Sequence, residues 1–374
     1  MFLYVFMAIF LVLAQAIVAG AHFLIFKFIV KVFSPTFALK NILFYGLLVL
    51  SFTFVPASLL IRGSENSFSR SVYFLVGLWH GLMVNLLLAI LGGYILFWLL
   101  KSFGINIDFK APGAVFIFLA LVISAYGVYN ANSLKVKNIK IYLKDLPSAW
   151  EGKTAVQISD VHLGNVLEKR YADRVAGEIN KLNPEIVFIT GDYFDGIGDD
   201  SYALADSLST INSKKGIYFV TGNHETYVGE EKSIKVMEAA GVTVLQNELR
   251  DIGGLLLLGL SYPIMGEKKD LEEIIKSLSG YDSQSPSILL YHSPSQLEKA
   301  AGAGIDLMLS GHSHRGQIWP FNFIAKLIFK GYDYGLKKKG DTQVYTSSGA
   351  GVWGPTMRTS GQNEIVAIEL RRAN

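Results

Sequence analysis

The chain is 374 residues long, 51% hydrophobic and 17% charged, with a net charge of +3 and no cysteine. The missing cysteine excludes disulfides, thiolate metal sites and cysteine nucleophiles, and a mild charge without a clustered basic face argues against nucleic acid as a partner. The length accommodates one membrane unit plus one ordinary domain.

The hydrophobicity is uneven. Residues 1–33 carry no charge before Lys27, and three more apolar runs follow at Ile42–Ile61, Val72–Leu100 and Ala114–Tyr129. A helix needs ~20 apolar residues to cross the hydrocarbon core, so residues 1–130 read as an all-α transmembrane region of about four helices, in contact with the bilayer. The small-residue stretch "AGA" at 19–21 resembles a signal-peptide cleavage site. It lacks a basic flank and the apolar run continues past it, so the first helix is expected to be retained. Polar residues within the spans are few: Gln15, His22, His80 and Asn85. An interhelical hydrogen bond is the expected role of His80. The absence of mid-span charge argues against a pump or proton relay. Lys27, Lys31 and Lys40 follow an uncharged N-terminal flank, and Lys101 and Lys110 lie in the third loop. Four crossings with these loops inside lean the C-terminal domain to the extracytoplasmic side, against Arg62 and Arg70.

Residues 131–150 read as a linker and edge strand, "NANSLKVKNIKIYLKDLPSAWEGK" alternating Lys with apolar residues. From Thr154 onward strands and helices interleave through residues 151–374. "TAVQI", "EIVFIT", "GIYFV", "LLLLGL", "SILLY" and "IDLMLS" are strands. "EKRYADRVAGEINKL", "SYALADSLSTI", "EKSIKVMEAAG", "KDLEEIIKSL" and "PSQLEKAA" are helices. The tail is strand-rich. This alternation predicts an α/β domain of layered sheets.

Polar motifs fall at the strand ends: Asp160 and His162; Asp192; Asn223 and His224; His292; His312 and His314. Ligand sites of open α/β sheets lie outside the carboxyl ends of strands, so five strand ends present these side chains toward one crevice. Residues two apart in an extended segment point the same way, which would aim Asp160 with His162 and His312 with His314. All five histidines of this half lie at such ends. Singly, "DxH", "GD" or "GNHE" is more often a turn or a loop; the combination is what argues for a site.

Asp, Asn and His without Cys suit Mn, Fe or Zn. Asp160, His162, Asp192, Asn223, His292, His312 and His314 exceed what one ion with an open position needs. Two ions ~3.5–4 Å apart, bridged by a carboxylate and a hydroxide nucleophile, would use them all in attack on a phosphoryl group. His224 is then left to donate a proton. No phosphate-binding glycine loop with Lys, no "HExxH" and no "GxSxG" is present.

These motifs, "SDVHLG", "TGDYFD", "TGNHET", "YHSP" and "SGHSHRGQ", resemble those of the calcineurin-like metallophosphoesterases over about residues 150–370. Together with "SSGAGVWGPTMR" they are most similar to a bacterial, membrane-associated branch, which implies a multi-pass protein of the bacterial cell membrane. The resemblance implies a four-layer sandwich of two mixed β-sheets flanked by helices. It implies one ion held by Asp160, His162, Asp192 and His314, a second held by Asp192, Asn223, His292 and His312, and His224 as catalytic acid. Arg315 departs from the Gly usual in this branch; it would contact substrate phosphate or be a solvated loop residue. The expected activity is membrane-anchored hydrolysis of a phosphomonoester, phosphodiester or pyrophosphate, with a lipid-linked substrate as one reading. The alternative is a membrane signalling or transport protein with a weakly active domain of this fold. Substrate selection is expected in loops 195–200, 261–268 and 319–340. Within the last, "WPFNFIAKLIFKGYDYG" sets Trp and Phe beside Lys326 and Lys330, a composition suited to the membrane interface or to ordinary core.

Overall fold

A computed structural model describes residues 2–63, 66–196, 201–264, 267 and 269–373. Residues 197–200, 265, 266 and 268 of the expected selectivity loops lie outside them. The chain forms two units, Met1–Tyr129 with Gly354–Thr359, and Asn130–Trp353 with Ser360–Asn374.

The first unit is helical: α1 (Phe2–Phe33), α2 (Phe37–Leu50), α3 (Phe54–Gly63), α4 (Ser67–Ser102) and α5 (Lys110–Ala131). Segments Val12–Phe33, Ser67–Ser102 and Lys110–Ala131 are long and apolar enough to cross a membrane. The expected helix over Ile42–Ile61 is broken, and α2 and α3 reach that length only as a pair bent by 47°. Pro56 explains the break: it has no N–H for the Phe52 carbonyl, and its ring would clash there in a continuous helix. Restarting at Phe54 puts Pro56 in a first turn, where the missing donor costs nothing. The break is satisfied locally, with Gln15 Nε2 donating to the Ser51 carbonyl at 2.9 Å and the Ser51 and Thr53 hydroxyls donating to Leu48 and Leu50.

The interhelical bond expected of His80 is not there: its Nδ1 bonds the Val76 carbonyl of its own helix at 2.8 Å. Its neighbour makes the link instead, Trp79 Nε1 donating to His22 Nε2 at 2.8 Å. Asn85 Nδ2 donates to Ser124 Oγ at 2.8 Å, joining α4 to α5. The segment Gly354–Thr359 packs in a groove of small residues. Met357 is fully buried, and a Cβ on Gly81 would lie 2.7 Å from its side chain. The Arg358 N–H donates to the Gly127 carbonyl at 2.9 Å.

In the second unit the chain runs β1 (Leu134–Leu143), β2 (Thr154–Ile158), α6 (Lys169–Lys181), β3 (Ile186–Thr190), α7 (Ser201–Ser209), β4 (Ile217–Val220), α8 (Asn223–Val228) and α9 (Glu230–Ala239). It continues through β5 (Thr243–Val244), β6 (Glu248–Asp251), β7 (Leu256–Gly259), α10 (Leu271–Ser277), β8 (Ser287–Leu290), α11 (Leu297–Ala303) and β9 (Leu307–Ser310). It ends with α12 (Phe321–Ile328), β10 (Gly335–Lys339), β11 (Thr342–Thr346) and β12 (Asn363–Arg372). Two mixed six-stranded sheets result, ordered β1-β12-β2-β3-β4-β5 and β10-β11-β9-β8-β7-β6. Within the segment 131–150, expected as a linker and edge strand, Leu134–Leu143 forms β1, an edge strand parallel to β12.

Period-two alternation sorts the strand residues between layers. In β2, Ala155 faces the intersheet core with Phe188, Leu257, Leu290 and Leu309, while Val156 and Ile158 face the helices. The helix α6 buries Tyr171, Ala172, Val175, Ala176 and Ile179, a 3.6-residue stripe against the first sheet. The helices α10 and α11 cover the second sheet through Leu271, Ile275, Leu297 and Ala300. The order is thus helix, sheet, sheet, helix. Gln157 pins the two sheets under their carboxyl edges, its Nε2 donating to Thr190 Oγ1 and the Ser310 carbonyl, each at 2.9 Å.

Candidate metal centre

Every expected donor lies just past the carboxyl end of β2, β3, β4, β8 or β9, and the structure gathers the Asp and His side chains among them, with His224, into three overlapping groups. Asp160, His162 and His314 form one, Asp192, His292 and His312 another, and His162, Asp192 and His224 a third. Within each group the ligand atoms lie within 4.8 Å of one another. Their convergence does not come from extended alternation. Asp160, His162, Asp192, His312 and His314 all adopt left-handed backbone, with φ between 48° and 68°. Each such residue costs about 1–3 kcal/mol, strain that clusters at functional sites when the surroundings enforce it. Here the enforcement is hydrogen bonding: the His312 N–H donates to both Asp160 carboxylate oxygens at 3.0 Å, and the His224 N–H to Asp192 Oδ1 at 2.8 Å. Such close approach requires the preceding glycines. A Cβ on Gly311 would lie 2.1 Å from Asp160 Oδ2, and one on Gly222 2.2 Å from Asp192 Oδ1.

At one subsite, His314 Nε2 lies 3.2 Å from Asp160 Oδ1 and 3.0 Å from His162 Nε2. At the other, His292 Nε2 lies 3.2 Å from Asp192 Oδ2, 3.1 Å from Asn223 Oδ1 and 3.2 Å from His312 Nδ1. His292 Nδ1 donates to the Thr190 carbonyl at 2.7 Å, which leaves Nε2 of the neutral ring as a lone pair. His292 Nε2 thus has Asp192 Oδ2, Asn223 Oδ1 and His312 Nδ1 within 3.2 Å, and a converging set of imidazole, carboxylate and amide donors fits divalent ions. The carboxylates favour positive charge at this point: burial lowers the His292 imidazole, but Asp192 and Asp160 outweigh it and raise it to about 10. His312 is pushed down to about 4 by burial and by His292. Burial would raise Asp160 and Asp192; their histidine neighbours hold both far below the usual carboxylate range.

Two carboxylates escaped the sequence reading as site residues. Asp195, three residues after Asp192, accepts from His224 Nδ1 at 3.1 Å, lies 3.4 Å from His162 Nδ1, and accepts from Asn165 Nδ2 at 2.8 Å. It fixes the His224 ring, whose pKa burial would lower but Asp195 and Asp192 raise to about 9. The "GDYFD" spacing is the signal that could have found it. Glu225 is fully buried and accepts the N–H groups of Asp192, Tyr193, Phe194 and Gly222, clamping the turn that carries Asp192. Arg315, expected at substrate phosphate or as a solvated loop residue, stacks its guanidinium on Tyr334, 4.3 Å from the ring centroid.

The chain matches the calcineurin-like phosphoesterase family over residues 153–316. It is 35% identical to an uncharacterized metallophosphoesterase of Helicobacter pylori J99, over 64% of this chain and 65% of that protein. It is 33% identical to a zebrafish (Danio rerio) transmembrane protein with metallophosphoesterase domain, over 68% and 62%. It is 30% identical to an uncharacterized metallophosphoesterase of Aquifex aeolicus, over 68% and 98%. The chain therefore belongs to the calcineurin-like metallophosphoesterases, and its His/Asp clusters are typical of their binuclear metal site. It spans just under two thirds, 65%, of the length of the Helicobacter relative. The zebrafish protein extends the likeness beyond the bacterial branch expected from the motifs.

Proposed function

We propose that this chain is a membrane-anchored, two-metal phosphoesterase. The observation that carries the reading is the convergence of Asp192 Oδ2, Asn223 Oδ1 and His312 Nδ1 within 3.2 Å of His292 Nε2. Asp160, His162, Asp192 and His314 would hold one ion, and Asp192, Asn223, His292 and His312 the second, with Asp192 common to both. When bound, two divalent ions supply positive charge to the phosphoryl oxygens and lower the pKa of the attacking water. The chain's own residues do the rest. Asp195 holds His224 by Nδ1, so the ring presents Nε2 as its free proton-donating position, and His224 protonates the leaving oxygen. Glu225 and Gly222 keep Asp192 in its left-handed turn, so that its carboxylate serves both subsites. The candidate spans hold this chemistry at a membrane, where lipid-borne phosphates reach high local concentration.

A signalling or transport protein with a weakly active domain would tolerate a damaged site. The seven donors here are all present and converge, which favours turnover. The test is hydrolysis of p-nitrophenyl phosphate and bis-p-nitrophenyl phosphate by the purified full chain and by Asp192→Ala. Turnover of at least one by the parent, lost in the variant, is expected. No turnover of these, or of any other phosphoester offered to the metal-loaded chain, would overturn the proposal.

A further inference from the structure

The segment "FNFIAKLI", expected as loop, is the helix α12, and it leaves its apolar side uncovered. Phe321 is 43% exposed, Phe323 56%, Ile324 51%, Leu327 79% and Ile328 66%, while Ala325 is buried. At about 100° per residue these five side chains cover a continuous arc of roughly 160° of the helix. A soluble surface rarely gathers so much exposed apolar area without a partner. Neither Phe321 nor Leu327 is core.

Three observations identify the partner as a lipid surface. Among the described residues, three helices have membrane-crossing length and composition, with a bent pair besides. Lys326 and Lys330 are exposed at the edge of the apolar arc and just past the helix, and Trp319 precedes it half-exposed. Aromatic and basic side chains flanking an apolar helix face match the layering of acyl chains and anionic headgroups. The third observation is continuity with the metal centre. The Phe329 ring, one residue past α12, packs edge-on against His312 at 5.8 Å. Other aromatics complete the rim: Tyr262 against His292 and His312, Tyr227 against His224, and Trp353 against His224 and His314.

We infer that α12 is a bilayer-interface helix and that the substrate is a lipid phosphoester, its phosphate at the metal centre and its apolar chain along the exposed face of α12. This deepens the phosphoesterase reading and rests on it.

The test uses the full chain in detergent micelles and two substrate pairs of matched chemistry. The diester pair is p-nitrophenyl hexadecyl phosphate against p-nitrophenyl methyl phosphate. The monoester pair is phosphatidic acid against glycerol 3-phosphate. For whichever pair is hydrolysed, kcat/KM should favour the lipid member by at least about tenfold. Leu327→Glu should erase most of that preference and leave the soluble member unchanged. A second readout uses the absence of cysteine. Leu327→Cys carrying an environment-sensitive fluorophore, reconstituted in phosphatidylcholine–phosphatidylglycerol vesicles, should be quenched by acyl-chain spin labels, and Lys338→Cys should not. Equal kcat/KM for lipid and soluble members, or a water-exposed label at position 327, overturns the inference and leaves the phosphoesterase reading standing. Failure on all four substrates, and on both aryl phosphates, overturns that reading instead.

Discussion

The separation between Asp192 and His224 is the sharpest division of labour in the site. Asp192 lies 3.2 Å from His292 and 3.9 Å from His162, one from each subsite, whereas His224 is tied to Asp195. Asp192→Ala should therefore lose bound metal and turnover together. His224→Ala should keep its metal and lose roughly 10²–10⁴ in rate, as removal of a general acid does. Metal content of the two purified variants decides it; equal loss from both would reverse the role assignment. Asp195→Asn should retain metal and lose about 10–100-fold in rate, the usual cost of removing a group that orients a site histidine. The grouping of Asp160, His162, Asp192, Asn223, His224, His292, His312 and His314 was legible in the sequence because each sits in a short motif at a strand end. Asp195 and Glu225 were not singled out, because their roles depend on neighbours about thirty residues away in the chain. The left-handed turns were hidden too: pattern reading assigns Asp and His to extended backbone, and the departure at Asp160 and Asp192 comes with the hydrogen bonds from His312 and His224 and the Glu225 clamp.

Among the elements, the sequence revealed those with strong periodicity. Strands β2, β3, β4, β7, β8 and β9 and helices α6, α7 and α10 fall within the stretches expected for them, while α9 starts one residue before its stretch and α11 runs two residues past its own. The elements missed are those whose partner lies outside the local pattern. The strands β5 and β6 are short and paired at sheet edges. In β10 the sequence "GLKKK" shows little apolar signal, and the strand forms by pairing with β11. The helix α12 was hidden because its apolar face is turned outward. The break between α2 and α3 was readable in principle from Pro56, but the hydropathy run masked it. In α4, Gly77 and Gly81 admit the segment Gly354–Thr359, and at both positions a Cβ would meet that segment inside 3 Å. Gly81→Leu should therefore destabilise the helical unit by about 1–3 kcal/mol through overpacking against Met357. Thermal unfolding of the full chain in detergent reads this out, and an unchanged midpoint would show that the groove relaxes freely.

For the whole molecule, the break between α2 and α3 bears on which side of the membrane holds the metal centre. If the bent pair crosses, four spans place Lys27, Lys31, Lys40, Lys101 and Lys110 inside and the catalytic unit outside. If it re-enters, three spans place the catalytic unit on the same side as Lys27, Lys31, Lys40, Arg62 and Arg70. Protease treatment of sealed spheroplasts separates the two. The four-span reading predicts cleavage within residues 150–374 in intact cells, and protection until lysis means that the pair re-enters. The phosphoesterase assignment stands apart from that outcome, because it rests on the convergence of Asp160, His162, Asp192, Asn223, His292, His312 and His314. Its most direct test is metal titration of the chelator-stripped full chain, with Mn²⁺ binding followed by calorimetry and aryl phosphate hydrolysis followed in parallel. The account predicts about two ions bound per chain and turnover that returns as they bind. Full turnover by the stripped chain, or tight metal binding that restores none, would contradict it.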